Sequence, residues 1–406
     1  MRILLVGDYP RDPRLGSTKV FLKLQEEFRA LGHECDVLLA DDLGPYPQHR
    51  LLRWAVEPVA ALAAVRRAFR DRGVYDVVDV ASAEGLWIGA LRRAGLLNGA
   101  AVISRSNGIE HLNYQRMLDD HDDGLARKPW TRRWFYPAVR LSQVAGAARA
   151  ADRLILLNDA DRAFVRSKRW KPDDQIDLVA HGVSSRFLAD VPAPDHPRGR
   201  GILFCGTWDA MKGVQYLARA FSSLVDARLK GSRCANGSHD TDRSPDVARG
   251  FQPSDPLNLT VLGGGVPAAA ILSAFSETAR PHVTVVDRVS EEEVIAAYRS
   301  HDVMAFPSSY EGFGMVLLEA MSQRLPVVAT PVGCATMLVR DGDTGLIVPP
   351  RNSDALAAAL NRMLDDPALR ASVAERAFQR VREMSWTRTA RETLNVYGRA
   401  LNGFAR

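Results

Sequence analysis

The chain alternates short apolar runs with amphipathic stretches. In the first half, six apolar runs predict strands at 2–7, 35–39, 77–80, 101–104, 154–157 and 176–179. Helical periodicity separates these runs. The first helix is predicted over 17–31, after a loop that contains Gly16. Strands that alternate with helices indicate an α/β fold with a parallel sheet.

The same alternation starts again after a proline-rich stretch at 191–197, which we interpret as a linker. Further strands are predicted at 201–205, 259–262, 283–286, 303–306 and 326–329. We therefore predict an N-terminal domain over 1–195, a second α/β domain over 196–384 and a C-terminal helical segment over 385–406. Residues 226–256 are polar and lack hydrophobic periodicity, which predicts a flexible insertion in the second domain. Two such domains place a ligand in the cleft between them.

Composition narrows the class of protein only partly. With 406 residues and 46% hydrophobic content, two packed domains are expected. The four cysteines are widely separated, which argues against a disulfide framework or a structural zinc site and favours a reducing cytoplasm. No apolar run is long enough for a signal peptide or a membrane span. The net charge of +5 suits nucleic acid, an anionic membrane or a phosphorylated small molecule equally.

The stretch 306–321 carries the strongest chemical signal. It holds two glutamates, Glu311 and Glu319, on either side of a Gly-Phe-Gly turn, and Glu319 falls in a segment that is otherwise apolar. A buried carboxylate without a partner is costly, so Glu319 should meet a dedicated protein group or ligand. An ionised carboxylate accepts vicinal ribose hydroxyls well, whereas Glu311 is placed to face a reacting sugar. The alternative is a helix-capping Glu311 and a Glu319 paired with a core Arg or Lys.

Two further segments follow predicted strands and carry polar groups. Lys212, in the loop before a predicted helix, is placed to reach a bound diphosphate, although a solvated first-turn lysine is equally consistent with the pattern. The run Asn107-Gly-Ile-Glu-His111 lies at a strand's carboxyl end, where α/β folds bind ligands. Asn107, Glu110 and His111 are therefore candidates for contact with sugar hydroxyls, and a plain polar turn is the alternative.

Three other motifs are weaker indications of function, because each has a plausible structural explanation. The run at 263–268 satisfies the dinucleotide-binding spacing G-x-G-x-x-A, but no other nicotinamide signal accompanies it, so we interpret it as a tight turn. The acidic run 119–123 has D-x-D spacing and is predicted to be a solvated loop. Residues 126–136 mix cations with aromatics, which suits a membrane interface or a lipid-linked acceptor, or else a helix that packs its rings inward.

Taken together, these residues resemble the group-one (family-four) retaining glycosyltransferases of the GT-B type. The resemblance covers most of the chain and is strongest over 201–350. Its markers are the Gly16 loop, the runs at 151–155 and 181–183, Lys212-Gly213, the stretch 307–321, and the runs at 326–330 and 342–346. The resemblance implies two Rossmann-like domains that face a central cleft, an acceptor-binding first domain, a donor-binding second domain, and a C-terminal helix that packs on the first domain.

The resemblance also implies roles for individual residues. Glu319 would bind the nucleotide ribose and Lys212 the diphosphate. Glu311 would hold the donor sugar together with the backbone of Gly312, Phe313, Gly314, Met315 and Val316. Arg288 and Val289 would flank the base. With Glu311 and Lys212, Asn107 and His111 would be the catalytic residues. Gly16 and Thr207 would complete the donor-binding residues.

Four positions depart from the family pattern. Thr207 stands where many members carry arginine, Arg324 replaces a usual glycine, Met337 a usual glutamate, and Asn107 what is often a histidine.

The implied reaction moves a hexosyl group from a nucleotide-diphosphate sugar to an acceptor hydroxyl with retained configuration. The resemblance implies no metal, because protein charges take the cation's place. It implies no cofactor, because the nucleotide-sugar is a substrate. The implied acceptor is a carbohydrate or lipid-linked molecule in polysaccharide, lipopolysaccharide or glycolipid assembly. The implied location is the cytoplasm or the inner face of the membrane, and no nucleic-acid partner is expected. A non-catalytic nucleotide-sugar binding protein and a glycoside hydrolase, whose two carboxylates lie roughly 5 to 10 Å apart, are the alternatives.

Overall fold

The structure is a computed structural model that describes residues 1–13, 15–47, 49–122, 124, 130–235 and 257–403. The chain divides into two compact units. The first comprises Met1–Gly182 with Met384–Arg406, and the second comprises Val183–Glu383.

The first unit is built on a sheet of six parallel strands in the order β2-β1-β3-β4-β5-β6. The strands are β1 (Arg2–Val6), β2 (Glu34–Leu38), β3 (Val77–Ala81), β4 (Ala101–Arg105), β5 (Arg153–Leu156) and β6 (Ile176–Leu178). The helices before the second unit are α1 (Gly16–Ala30), α2 (Ala40–Leu43), α3 (Arg50–Arg72), α4 (Gly85–Arg93), α5 (Glu110–Asp122), α6 (Trp130–Arg133), α7 (Ser142–Ala150) and α8 (Asp159–Ser167). A doubly wound sheet of this kind buries its central strands on both faces, and all five residues of β3 and of β4 are buried.

The second unit contains another sheet of six parallel strands, in the order β12-β11-β10-β7-β8-β9. The strands are β7 (Ile202–Cys205), β8 (Leu259–Leu262), β9 (Val283–Val286), β10 (Val303–Phe306), β11 (Val327–Ala329) and β12 (Leu346–Ile347). The helices are α9 (Ser185–Ala189), α10 (Val214–Ala235), α11 (Ala268–Leu272), α12 (Glu291–Ser300), α13 (Met315–Ser322), α14 (Ala335–Leu338), α15 (Ser353–Asp365) and α16 (Pro367–Val381). Counted from β7, the order is 3-2-1-4-5-6, the arrangement of a Rossmann sheet.

The chain passes between the units at Gly182, whereas the sequence placed the boundary after residue 195. The intervening residues pack on the second unit. Gln323 donates a side-chain hydrogen bond to the carbonyl of Phe187, and Arg299 forms an ion pair with Asp190 at 2.9 Å. Because the proline-rich stretch begins only after these contacts, it does not mark the point at which the units separate.

Two sequence predictions need correction. The acidic run 119–123 was predicted to be a loop, but residues 119–122 are the last turn of α5, where Arg116 forms an ion pair with the buried Asp120. The predicted insertion at 226–256 begins within α10, which continues to Ala235. The rest of that insertion, residues 236–256, lies outside the described residues, as does Asp123.

Arg324 has a left-handed backbone with φ of 52°, a conformation in which glycine has no steric penalty. The side chain offsets this strain through several contacts. Its Nε lies 2.6 Å from Glu375, its Nη1 donates to the carbonyl of Pro192 at 2.7 Å, and its guanidinium lies 4.0 Å from the centre of the Phe378 ring. An arginine can therefore occupy this position, where the resemblance implies a glycine.

The C-terminal helix α17 (Trp386–Asn402) packs against α1 and β4 of the first unit. It is held there by a fully buried polar group. Asp79 on β3 accepts two bonds from Arg105 on β4, at 3.0 and 2.6 Å, and a third from the hydroxyl of Tyr397 on α17, at 2.5 Å. A buried carboxylate needs this full set of donors, since an unpaired charge in the interior is strongly destabilising.

The variant Tyr397→Phe is expected to destabilise the protein by about 1.5 kcal/mol, because it removes one donor from the buried Asp79 carboxylate. For a unit of this size the loss corresponds to a fall in Tm of about 3–6 °C, measurable by calorimetry. Asn395→Ala, on the exposed side of α17, is the matched control and should leave Tm within about 1 °C of wild type. An unchanged Tm for Tyr397→Phe would show that the hydroxyl does not secure the helix.

Candidate functional site

The second unit has a topological switch point between β7 and β10. These strands are neighbours in the sheet, but the chain leaves them towards opposite edges. In open α/β sheets, ligands bind outside the carboxyl ends of the strands at such a point. The loop after β7 contains Lys212 and the loop after β10 contains Glu311, so both candidates lie at this position.

The loop after β7 places Lys212 through a short turn that closes on Gly213. The side chain of Asp209 caps this turn by accepting a hydrogen bond from the backbone N–H of Met211 at 2.8 Å. Gly213 has φ of 70°, and a Cβ at this position would overlap the carbonyl oxygen of Pro307. Only glycine allows both the left-handed backbone and this close approach. The two loops therefore pack backbone against backbone beneath the Lys212 side chain.

Lys212 and Glu311 form an ion pair across the switch point, with Nζ 2.6 Å from Oε1. The same carboxylate oxygen accepts a hydrogen bond from Ser308 Oγ at 2.8 Å. Glu311 is buried, with only 7% of its side chain exposed, whereas 22% of the Lys212 side chain is exposed. The structure thus brings two predicted site residues together, and the capping role considered for Glu311 does not describe its contacts.

Neighbouring loops fix the backbone around Glu311. Thr330, which follows β11, donates from Oγ1 to the carbonyl of Ser308 at 2.5 Å, and the N–H of Cys334 donates to the carbonyl of Phe313 at 2.6 Å. Ser309 donates its N–H to the carbonyl of Met211 at 2.9 Å. Ser308 and Thr330 were not recognised from the sequence, where serine and threonine after a strand carry little information.

Helix α13 begins immediately after Gly314, whose φ of 88° provides the tight entry into the helix. A Cβ here would also contact the ring of Phe306 at 2.8 Å, so glycine is required for space as well as for conformation. Phe313 is buried, and Gly312, Met315 and Val316 are partly exposed. The first turn of the helix therefore presents backbone N–H groups and the positive end of its dipole at the switch point.

Glu319 lies in α13 among buried apolar residues, as predicted, and is 8% exposed. The hydroxyl of Tyr298, on α12, donates a hydrogen bond to Glu319 Oε2 at 3.3 Å. Burial raises the pKa of Tyr298 well above its usual value, and the nearby Cys205 and Glu319 raise it further, so the phenol stays protonated and able to donate. Tyr298 is thus a partner of Glu319 that the sequence did not reveal.

Thr207, Arg288 and Val289 lie on loops after β7 and β9. Thr207 and Arg288 are exposed and both approach Gly265, where an added Cβ would lie 3.8 Å from Thr207 Cγ2 and 4.0 Å from Arg288 Nη2. Trp208 donates its N–H to the carbonyl of Gly264 at 2.7 Å. The run at 263–265 is therefore a turn packed beside the loop that leads to Lys212.

In the first unit, Asn107 follows β4 and donates to the hydroxyl of Tyr9 at 3.1 Å. His111 is more enclosed, because its ring packs against Phe164 and Trp170, with centroid distances of 5.6 and 4.7 Å. Burial lowers the pKa of His111 to about 4, so the imidazole is neutral near pH 7. Gly16 is exposed as the first residue of α1.

A cluster of carboxylates surrounds Arg140, and of its members the sequence indicated only Glu110. Arg140 pairs with Glu57 at 2.8 Å and Glu110 at 3.1 Å, and lies 3.8 Å from Glu84. Burial raises the pKa of Glu84 well above its ordinary value, while the Arg140 charge opposes this rise. Glu57 gave the same signal as Glu319, a carboxylate in an apolar segment, and could have been found in the same way.

The aromatic and basic segment 126–136 was interpreted either as a membrane or lipid-linked acceptor interface or as a helix that packs its rings inward. Neither interpretation fits all of its described residues. Residues 126–129 lie outside the described residues. Tyr136 is buried and its ring meets that of Trp54 at 5.0 Å, whereas Trp134 is 69% exposed. Among the described residues, no helix has the length and apolar character needed to cross a bilayer.

A family model for group 1 glycosyl transferases matches residues 196–380. A D-inositol 3-phosphate glycosyltransferase of Salinispora tropica is 30% identical over 348 residues, covering 76% of this chain and 67% of the relative. The chain belongs to the group 1 glycosyltransferases, and the fold is GT-B.

Two further comparisons support this assignment. A D-inositol 3-phosphate glycosyltransferase of Kineococcus radiotolerans is 30% identical over 291 residues, covering 65% of this chain. The alignment spans 61% of that relative, so the chain matches about three fifths of its length. The solved sucrose-phosphate synthase of Thermosynechococcus elongatus superposes with a TM-score of 0.74 at 20% identity and covers 99% of both chains, which is a likeness of fold.

Proposed function

We propose that this protein transfers a hexosyl group from a nucleotide-diphosphate sugar to an acceptor hydroxyl, with retention of the anomeric configuration. The observation that carries the proposal is the Lys212–Glu311 ion pair of 2.6 Å at the switch point of a group 1 glycosyltransferase fold. Family membership supplies the reaction class. The geometry supports a site at which a cation and a carboxylate meet a ligand together.

Negative charge builds on the diphosphate as the sugar–phosphate bond breaks. Lys212 provides a positive charge there, and the first turn of α13 after Gly314 provides backbone N–H groups and a favourable dipole. Thr207 stands where many family members carry an arginine. Lys212 therefore neutralises a larger share of the diphosphate's negative charge in this chain. With these groups in place, the reaction needs no metal ion.

The other contacts with the nucleotide-sugar follow once its diphosphate is placed at Lys212 and the start of α13. Glu319 accepts the vicinal hydroxyls of the ribose, and Arg288 and Val289 flank the base. Glu311 accepts hydrogen bonds from hydroxyls of the transferred sugar, and the backbone from Gly312 to Val316 also contacts this sugar. Lys212 and Ser308 both donate to Glu311 Oε1, which fixes the orientation of the carboxylate. Glu311 and Glu319 thus have separate partners and separate roles.

The acceptor binds at the strand ends of the first unit, near Asn107 and Glu110, whereas the Gly16 loop belongs to the donor site. It is a carbohydrate or lipid-linked molecule, and the setting is polysaccharide, lipopolysaccharide or glycolipid assembly in the cytoplasm or at the inner face of the membrane. His111 supports this region from within its aromatic cluster.

A thermal-shift screen against a panel of nucleotide-diphosphate sugars tests the donor site. A cognate donor at about 100 times its Kd should stabilise the folded protein by about 2.7 kcal/mol. The corresponding free sugar, without nucleotide, is the control and should produce no shift. If no nucleotide-sugar stabilises the protein, the donor assignment is wrong.

Turnover with the donor found in the screen separates the proposal from its alternatives. We expect transfer to an acceptor hydroxyl that persists in EDTA, because Lys212 and α13 supply the charge that a metal ion would supply. Donor binding without turnover on any acceptor would favour a non-catalytic binding protein. Cleavage of a simple glycoside without nucleotide would favour a hydrolase, and loss of transfer in EDTA would contradict metal independence.

A further inference from the structure

Helix α3 presents an unusual face to solvent. A surface helix normally turns charged residues outward and apolar residues inward. Between residues 51 and 65 the only charged residues of α3 are Arg53 and Glu57, and both are engaged in ion pairs with other elements. Arg53 pairs with Asp8 at 2.6 Å, and Glu57 is buried against Arg140 at 2.8 Å.

The outward face of this part of α3 is consequently apolar. Leu52, Val56 and Val59 are 57%, 38% and 50% exposed, and Ala55 and Ala63 are exposed as well. The spacing of these residues, at three and four positions, places them in one stripe along the helix. From Leu52 to Ala63 the stripe is about 16 Å long, at about 1.5 Å per residue. We name these five residues the α3 stripe.

Arginines continue the α3 stripe towards the end of the helix. Arg66, Arg67 and Arg70 are all exposed and keep the same spacing of three and four residues. One helix face therefore carries apolar side chains followed by three arginines. Arg67 also donates to the carbonyl of Asp42 at 2.8 Å, and Arg70 lies 3.5 Å from Asp71. Exposed contacts of this kind are weak in water. Apolar side chains together with arginines are typical of helices that lie in a membrane interface, where the apolar groups enter the acyl boundary and the cations meet lipid phosphates.

Exposed apolar side chains are concentrated in the same unit. Of the nine large apolar residues that are strongly exposed in the described part of the chain, seven lie in the first unit, and these include Trp134 at 69%. Trp54, near the start of α3, stacks on Phe135 at 6.4 Å, so the segment that carries Trp134 packs against this helix. The exposed Trp134 is thus carried on a segment that packs against the helix of the α3 stripe.

We propose that the outward face of α3 binds the surface of an anionic lipid bilayer, with Leu52, Val56 and Val59 at the headgroup boundary and Arg66, Arg67 and Arg70 on lipid phosphates. Charge favours this partner over a second copy of the chain, because a parallel pairing of two such faces would bring six arginines together. A single helix stripe of small and medium side chains also offers far less than the roughly 1,200 Å² that stable protein interfaces bury. The proposal does not depend on the proposed transferase activity.

Sedimentation of the full-length protein with lipid vesicles tests this inference. Binding is expected to phosphatidylcholine vesicles that contain about 30% phosphatidylglycerol, to weaken as salt is raised, and to be absent from pure phosphatidylcholine vesicles. Val56→Glu combined with Val59→Glu should lower the partition coefficient by about tenfold or more, because the apolar contribution of two side chains is replaced by charge repulsion. Arg66→Gln combined with Arg70→Gln should lower it as well and flatten its salt dependence.

Leu96→Glu is the matched control, since Leu96 is 61% exposed but lies outside α3. It should bind vesicles as wild type does, and all variants should keep the wild-type Tm, which separates loss of binding from loss of folding. Vesicle binding that is absent in wild type, or equal in wild type and the Val56/Val59 variant, overturns the proposal. A wild-type dimer in ultracentrifugation that this variant converts to monomer, without vesicle binding, would instead identify a second copy as the partner.

Discussion

Lys212→Ala is expected to lower kcat by about 10²- to 10³-fold, because the variant removes a positive charge that stabilises the leaving diphosphate in the transition state. The loss should fall mainly on kcat and less on KM, since the charge on the diphosphate grows as the bond breaks. Steady-state kinetics with the donor identified by thermal shift measure both parameters. Lys212→Arg should recover part of the activity, because the cation is kept but its reach and shape differ.

Removal of Lys212 also leaves Glu311 without its ion-pair partner, so folding must be checked. Ser308 still donates to Glu311 Oε1 in the variant, and only local change is expected. Lys230→Ala, at an exposed position on α10, is the matched control and should retain full activity. Full activity in Lys212→Ala would remove Lys212 from the diphosphate site. If Lys212→Ala and Glu311→Ala together cost no more than either alone, the pair acts as a unit.

The strands were predictable because a parallel sheet buries both of its faces. Such strands appear in sequence as short continuous apolar runs, and 303–306 and 259–262 are examples that coincide with β10 and β8. Strand β12 was missed because it has only two residues, Leu346 and Ile347, which cannot form a recognisable run. The order of the strands depends on the direction in which each helix crosses the sheet, which a local pattern does not encode.

The candidate site was predictable residue by residue but not as a set of contacts. Glu319 could be recognised because a carboxylate in an apolar helix is conspicuous. Its partner Tyr298 could not, because a tyrosine in an amphipathic helix is ordinarily a core residue. Lys212 and Glu311 lie 99 positions apart, and only the adjacency of β7 and β10 brings them together. Local sequence thus indicated candidate residues, and topology determined which of them meet.

Glu319→Ala is expected to weaken nucleoside diphosphate binding by about 10- to 100-fold, because hydrogen bonds to a charged group contribute about 1.5–3 kcal/mol. The carboxylate is buried, so the ribose hydroxyls would lose an acceptor that water cannot easily replace. Titration calorimetry with the nucleoside diphosphate of the cognate donor measures the change. Glu319→Gln keeps the shape of the side chain and should show an intermediate loss, which separates the loss of charge from the opening of a cavity.

The ribose assignment predicts a specific dependence on the ligand. A 2′,3′-dideoxy nucleoside diphosphate should bind wild type and Glu319→Ala with nearly equal affinity, since the contact at issue is absent in both cases. Tyr298→Phe should weaken binding of the ribose form by a smaller factor, because the phenol orients the Glu319 carboxylate and does not itself reach the hydroxyls. In a Glu319→Ala background, Tyr298→Phe should have no further effect on binding. An affinity for the ribose form that is unchanged in Glu319→Ala would place the nucleotide elsewhere and leave the burial of this carboxylate as a matter of folding alone.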